Sequence, residues 1–204
     1  MTIDMPEMIE LYHQSKFSDP KIIFEIGARE AADSVYMKEH FPNTEVYAFE
    51  AHPGCFEKHK NNDNLKNINY YNIAMWNKKT TLKFHDKNID SGISSFRDRG
   101  QIYGSNTFQL ETMTPFDFCI QENINIIDIL KIDVEGCSYE ILEGFKELIN
   151  SIKFIHVETE RAEHFEGQWI EEDVFKLLEK NNFKMLKQSH CCMQQYDSVW
   201  VYNE

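Results

Sequence analysis

Two hydrophobic periods alternate along this chain, and each switch between them marks an element. "MPEMIELYHQSKF", with Met8, Leu11 and Tyr12 at helical spacing, predicts an N-terminal helix. "KIIFEIGA" is a short apolar run ending in a glycine turn, the mark of a buried strand. The rhythm then repeats. "REAADSVYMKEHF" predicts a helix that stops before Pro42, "EVYAFEAHP" a second strand and "GCFEKHKNNDNL" a helix. "INYYNIAMW" reads as a third strand and "TTLKFH" as a short extended piece. Asp86 to Thr114 is polar, carries Gly92, Gly100 and Gly104, and predicts a long functional loop. Beyond it, "TPFDFCIQEN" predicts a helix, "IIDILKIDV" a strand, "SYEILEGFKELI" a helix and "KFIHVETE" a strand. The amphipathic helix "WIEEDVFKLLEKNN" and a hairpin from "FKMLKQS" and "DSVWVYN" close the chain.

Strands alternating with helices predict an α/β fold with an open, mostly parallel sheet covered on both faces. No linker, repeat or low-complexity segment divides the chain, so one domain is expected over 1–204. Within it the N-terminal helix takes 1–18, the core 20–160, and a C-terminal helix and hairpin 161–204. With 204 residues and 42% hydrophobic content, the chain is long enough for one well-cored domain. A net charge of -13, from 21 basic and 34 acidic side chains, lacks the basic footprint of a nucleic-acid binder. Cys55, Cys119, Cys137, Cys191 and Cys192 form neither a CxxC pair nor an even-numbered framework, which predicts reduced thiols in a cytoplasmic compartment. No apolar run approaches the roughly 18 residues of a membrane span, and Met1 to Phe17 lacks a signal-peptide core. No membrane partner is expected, and the sequence sets no oligomeric state.

In such a sheet, ligands bind beyond the carboxyl ends of the strands. Those ends carry Glu25, Gly27 and Ala28; then Glu50; then Asn72 to Trp76; then Asp133 and Glu135; then Glu158 and Glu160. A buried, unpaired carboxylate costs several kcal/mol, roughly, so this gathering of acids points to a ligand. Glu50 closes the second strand about 20 residues after the glycine turn, where an acid accepts hydrogen bonds from both ribose hydroxyls of a nucleoside. The turn lacks the G-x-G-x-x-G pattern, because Arg29, Ala31 and Ala32 stand where a dinucleotide fold wants glycine. It suits a small zwitterion better than a pyrophosphate, which disfavours an NAD enzyme.

"FEIGAREAADS", "VYAFEAHP", "NIAMWN", "GISSF", "TMTPFDF" and "ILKIDVEGCSYEILEGF" occur in the order expected of FkbM-type S-adenosylmethionine-dependent O-methyltransferases. The chain resembles that family over roughly residues 20 to 160, most specifically in "LKIDVEG". The resemblance implies a Rossmann-like sheet of seven strands with the last antiparallel, and methyl transfer to a hydroxyl of a sugar or similar metabolite. It implies that Gly27 and Ala28 let the backbone approach the methionine part of the cofactor while Glu25 holds its ammonium. Glu50, with Ala51 beside it, would take the ribose, and Ile73 and Ala74 would flank the adenine. Ser94 and Ser95 resemble the family's serine pair, although a plain loop turn explains them equally. Asp133 would lie nearest the reactive methyl. Glu25 stands where the family usually has Asp, and "AREAADS" replaces a turn richer in Gly and Asn.

A sugar hydroxyl is a poor nucleophile and needs a base or a Lewis acid to shed its proton. Asp133, Glu158 and Glu160 are the carboxylates expected to serve, the first two as catalytic groups, with His190 a further base or acceptor contact unless it is a solvated loop histidine. His156, Glu158 and Glu160 share one face of their strand. Asp133, Glu158 and Glu160 together would hold Mg²⁺ or Mn²⁺, against the simpler reading that Lys131 pairs with Asp133. Glu135 is expected instead to open the next helix, at its positive dipole end. Trp76 and Trp169 are candidates to line an acceptor pocket, Trp200 a core residue, and the Cys191–Cys192 pair, without a basic setting, inert. The expected activity is O-methylation of a neutral glycan or glycoside. Alternatives are a non-sugar hydroxyl or carboxyl as acceptor, or a nucleoside-binding module without catalysis.

Overall fold

In the computed structural model, which describes residues 2–100 and 106–203, the expected rhythm is present. Strands β1 (Ile22–Ile26), β2 (Glu45–Phe49), β3 (Asn69–Tyr71), β7 (Ile127–Ile132), β8 (Ile152–Glu160), β9 (Phe183–Cys192) and β10 (Gln195–Tyr202) form a seven-stranded sheet. Their order is β3-β2-β1-β7-β8-β10-β9, and β10 runs antiparallel to both its neighbours. Strands β4 (Ala74–Met75), β5 (Thr81–His85) and β6 (Thr107–Met113) make a separate three-stranded sheet. The α/β, Rossmann-like reading holds. No helix among the described residues is long and apolar enough to cross a membrane.

Alternation along the strands sends side chains to two cores. Phe24, Ile26, Phe49, Leu130, Ile132, Ile155, Val157 and Trp200 face helices α4 (Pro115–Glu122), α5 (Ser138–Gly144) and α6 (Glu171–Lys180). Ile23, Val46, Ala48, Ile129, Phe154 and Val199 face α1 (Met5–Gln14) and α2 (Ala32–His40). Asp4 caps α1 by accepting from the Glu7 N–H, and Tyr12 packs edge-on against Phe154 with centroids 5.4 Å apart. Strands buried on both faces explain why β1, β2 and β7 read as nearly continuous apolar runs.

Several local expectations are corrected. "INYYNIAMW" is two strands, since β3 stays in the main sheet and β4 leaves it for β6. The Asp86–Thr114 stretch is only partly loop, because Thr107–Met113 pairs with β5; residues 101–105, including Gly104, lie outside the described residues. Helix α3 (Pro53–His59) stops well before Leu65, and α5 stops at Gly144 because Lys146 takes φ 52°.

A short N-terminal strap ties the chain's start to its last strand. Asp197 on β10 accepts hydrogen bonds from the Thr2 hydroxyl and from the Ile3 N–H at 3.2 Å, and faces His156 Nε2 at 3.6 Å. Burial pushes the Asp197 carboxyl up, but His156, Thr2 and Ile3 outweigh it and hold it below the usual range. Replacing Asp197 by Ala strands these buried partners and should cost about 1–3 kcal/mol at neutral pH. Because the folded value is lowered, the contribution is complete above the unfolded value of about 4 and is lost as pH falls below it. Urea unfolding of both proteins at neutral and acid pH checks this. Equal midpoints at neutral pH would remove the strap.

Candidate active site

Three strand ends meet on the carboxyl edge of the sheet. Gly27 follows β1 with φ 87°, and the N–H groups of Gly27 and Ala28 both donate to Phe49 O, at 3.0 and 2.9 Å. The Asp133 N–H donates to Ile26 O at 2.9 Å. A Cβ on Gly27 would lie 1.9 Å from Asp133 O, so no other residue permits this approach. The chain passes through Arg29 and Ala31, both at positive φ, before α2 begins at Ala32, later than the sequence pattern suggested.

Beside this junction lies a cleft, partly open to solvent. Gly27, Glu50, Ala51 and Asp133 line it on one side, and Ile73, Met75, Phe84 and Phe96 supply an apolar wall. Glu50 Oε2 accepts the Arg29 N–H at 2.8 Å and Oε1 the His52 N–H at 2.7 Å. Burial raises the Glu50 carboxyl, and these donors act against that shift. A carboxylate offers about four acceptor positions, so its orientation is fixed while two remain for a diol. A glycine cradle, a buried diol acceptor and an apolar slot together fit a nucleoside carrying a small charged tail.

The loop after β5 contributes Asn88, Ile89, Gly92 and residues 94–96 to the cleft lining. Ser94 and Ser95 both line it, and Ser95 Oγ donates to Glu135 O at 2.6 Å. His52, which the sequence reading missed, fastens the loop. Its Nδ1 accepts from the N–H groups of Gly54 and Cys55, which places the ring proton on Nε2, 3.1 Å from Asp86 Oδ1. The only sequence signal for this was its place ahead of Pro53 at a helix start.

Next to the cleft, single carboxylate oxygens of Glu135, Glu158 and Glu160 lie within 4.8 Å of one another. Glu158 and Glu160 were expected together, but the third member is Glu135. Asp133 is held elsewhere: its carboxylate pairs with the buried Lys131 at 3.0 Å, and Lys131 also contacts Asp33 at 3.1 Å and Glu25 at 3.8 Å. Nor does Glu135 open a helix, because α5 starts at Ser138, after a turn through Gly136 at φ 68°. Gln195 Nε2 bridges Glu158 at 3.2 Å and Glu135 at 3.4 Å, while Gln168 Nε2 donates to Glu160 at 2.5 Å. Burial and the neighbouring acids push Glu135 up to about 7 and Glu158 up to about 9.

Residues 25–185 match the model of the methyltransferase FkbM domain. The chain belongs to the FkbM methyltransferase family. It is 23% identical over 164 residues to the 2-O-methyltransferase NoeI of Sinorhizobium fredii, covering 74% of this chain and 67% of that protein. Two solved structures share the fold. Magnesium protoporphyrin IX methyltransferase from Synechocystis PCC 6803, with bound S-adenosylmethionine, gives a TM-score of 0.55 at 10% identity, covering 98% of this chain and 78% of that one. TrmK of M. capricolum, with S-adenosylhomocysteine, gives 0.56 at 12% identity, covering 99% and 68%. This FkbM protein is an S-adenosylmethionine-dependent methyltransferase.

Not every expected residue reaches the cleft of the FkbM protein. Glu25 faces inward, accepting from Ser34 N–H and Oγ, and Ala28 is buried among α1 and α2 side chains. Ala74 is buried between Ile73 and Met75 without lining the cleft. His190 stands on β9 against Tyr196, outside both the cleft lining and the carboxylate triad. Trp76 is buried against Phe96, and Trp169 stacks on Tyr139 at 4.5 Å with its outer face exposed.

Glu50→Ala should weaken S-adenosylhomocysteine binding at least about tenfold, since each charge-assisted hydrogen bond is worth roughly 1.5–3 kcal/mol. Calorimetry checks this, and equal affinities would exclude the diol role. A second outcome concerns the triad. Its carboxyls are raised above the unfolded value of about 4.3, so their stabilising contribution is complete below that value and is lost as pH rises through about 7 and 9. Glu158→Gln should therefore raise Tm near pH 8 by at least about 2 °C, the effect of roughly 1 kcal/mol in a domain of this size, with the gain vanishing in acid. A destabilised variant at that pH would mean that the charges are compensated.

Proposed function

We propose that this protein transfers a methyl group from S-adenosylmethionine to a hydroxyl of a neutral sugar, on a glycan or glycoside. The observation that carries the reading is the position of Glu135, which both lines the cofactor cleft and belongs to the carboxylate triad. A group that accepts the hydroxyl proton has to stand beside the acceptor oxygen, at the border of the cofactor cleft and off the line of attack, and a carboxyl raised to about 7 is suited to that work. Bound S-adenosylmethionine supplies an activated methyl on a cationic sulfur. The chain's own part is positioning. Glu50 holds the ribose, Gly27 admits the methionine portion, and Asp133, steadied by Lys131, presents negative charge on the cleft wall. Glu25 acts one step back, through Lys131, rather than on the ammonium. Glu158, Glu160, Gln168 and Gln195 offer donors and acceptors to neighbouring hydroxyls.

The sugar reading also draws on the match to a 2-O-methyltransferase and on the net charge of -13, which repels polyanionic acceptors. The 4.8 Å convergence favours a second reading of the triad. Three hard oxygen donors suit Mg²⁺ or Mn²⁺, which Glu135, Glu158 and Glu160 would hold in place of the expected set with Asp133. Such an ion would supply charge neutralisation and a lowered hydroxyl pKa.

A panel of neutral glycosides, sugar nucleotides and RNA tests the acceptor, and turnover confined to RNA would overturn the sugar. With an active glycoside, Glu135→Gln should lose on the order of 100-fold or more in rate while S-adenosylhomocysteine affinity is retained. Full activity after thorough chelation selects the metal-free reading. Activity lost to EDTA and restored by Mg²⁺ or Mn²⁺ selects the metal.

A further inference from the structure

The hairpin of β9 and β10 carries two adjacent thiols in an irregular setting. Neighbouring residues of a regular strand point to opposite faces. Here Cys192 pairs with Gln195 and His190 with Tyr196, so Cys191 is the extra residue of a β-bulge. The bulge breaks the alternation and brings the two Sγ atoms within 4.0 Å. Cys192 is exposed and Cys191 half-buried. Cys192 Sγ also donates to Gln195 Oε1 at 3.1 Å, on the same amide whose nitrogen bridges Glu135 and Glu158. The thiol pair is thus one side chain away from the triad.

We propose that Cys191 and Cys192 form a reversible modification site, closed to a vicinal disulfide by a small-molecule disulfide such as oxidised glutathione, and that closure releases Gln195 from the triad. Cys192 Sγ attacks one sulfur of the oxidant and expels the first thiol. Cys191 Sγ then attacks Cys192 Sγ and expels the second. The protein gives up two electrons and two protons, and the oxidant leaves as two thiols. Burial, with Glu158 and Asp197 nearby, pushes the Cys191 thiol up to about 12, so the exposed Cys192 makes the first attack and Cys191 follows as its held neighbour.

Adjacent Cα atoms lie about 3.8 Å apart across a trans peptide, less than the roughly 4.4–6.8 Å that disulfides usually span. A bond closed over that gap is strained and easily reduced, which suits a switch rather than a staple. Once closed, Cys192 has no S–H for Gln195 Oε1, and the amide no longer has a reason to hold both carboxylates. The effect on methyl transfer rests on the proposed role of the triad, whereas ring closure and the release of Gln195 do not.

The test uses the full chain, first reduced, then exposed to excess oxidised glutathione and digested for mass analysis. The expected result is a two-hydrogen loss in the peptide holding both cysteines, reversed by dithiothreitol and absent in Cys191→Ser. A persistent glutathione adduct, or unreacted thiols, overturns the site. The side-chain amide resonances of Gln195, assigned as those missing from Gln195→Leu, are then compared in the two redox states by nuclear magnetic resonance, because closure removes the donor on Gln195 Oε1. They should shift on oxidation and return with dithiothreitol. Unmoved resonances overturn the link to Gln195 whether or not any acceptor is known. If they shift while neither form methylates a sugar, the proposed acceptor has failed and the switch stands.

Discussion

The close approach of Gly27 to Asp133 O governs the geometry of the carboxyl edge. Without a Cβ, β1 and β7 can finish in contact, and the Phe49 carbonyl collects both N–H groups of the turn. That knot brings the Arg29 N–H to Glu50, so the same turn that admits a ligand also aims the carboxylate that receives it. On its other side, the chain leaving β7 is turned at Gly136, where a Cβ would press into Phe165 at 2.6 Å. Asp133 and Glu135 therefore diverge, one toward Lys131 and one toward β8. Most of the site's geometry descends from two glycines that backbone sterics leave no choice about.

Charge is distributed unevenly around that knot. Lys131 Nζ lies 3.0–3.8 Å from carboxylate oxygens of three acids, so one buried ammonium steadies Glu25, Asp33 and Asp133 together. Among the described residues the triad has no comparable cation. Arg99 approaches Glu135 only at 4.0 Å, and amides from Gln168 and Gln195 do the rest. The difference separates two uses of acids at this edge. The first group shares one cation and holds shape, although burial still pushes Glu25 up to about 7, whereas the second keeps its mutual repulsion in reserve for whatever binds there.

The strand and helix rhythm was legible because both periods persist wherever elements are buried, and Glu50 was legible because strand length and turn position fix its distance from Gly27. Three features were not. The break between Tyr71 and Ala74 is hidden, since Ile73, Ala74 and Met75 continue an apolar run across a change of sheet. Strand β6 is half-exposed and polar, with only Thr112 buried, so its pattern resembles a loop. Glu135 was misassigned because parity along a strand predicts direction only to the strand's end at Ile132, and everything beyond depends on the turn. His52 escaped for a related reason: its partner Asp86 is distant in sequence and supplied by a loop.

The contact between Thr2 and Asp197 spans 195 positions, and this has a bearing on how the chain is assembled. The apolar face of α1, with Met8, Ile9 and Tyr12, covers a surface to which Val199 of β10 contributes. At a synthesis rate of about 5–20 residues per second, the helix leaves the ribosome on the order of ten seconds or more before that strand does. Until then its apolar stripe has only part of its partner, and closing so long a loop is an entropic task deferred to the end. Helix α1 is thus made well before its cover is complete, so a nascent chain stalled before β10 leaves that core unfinished.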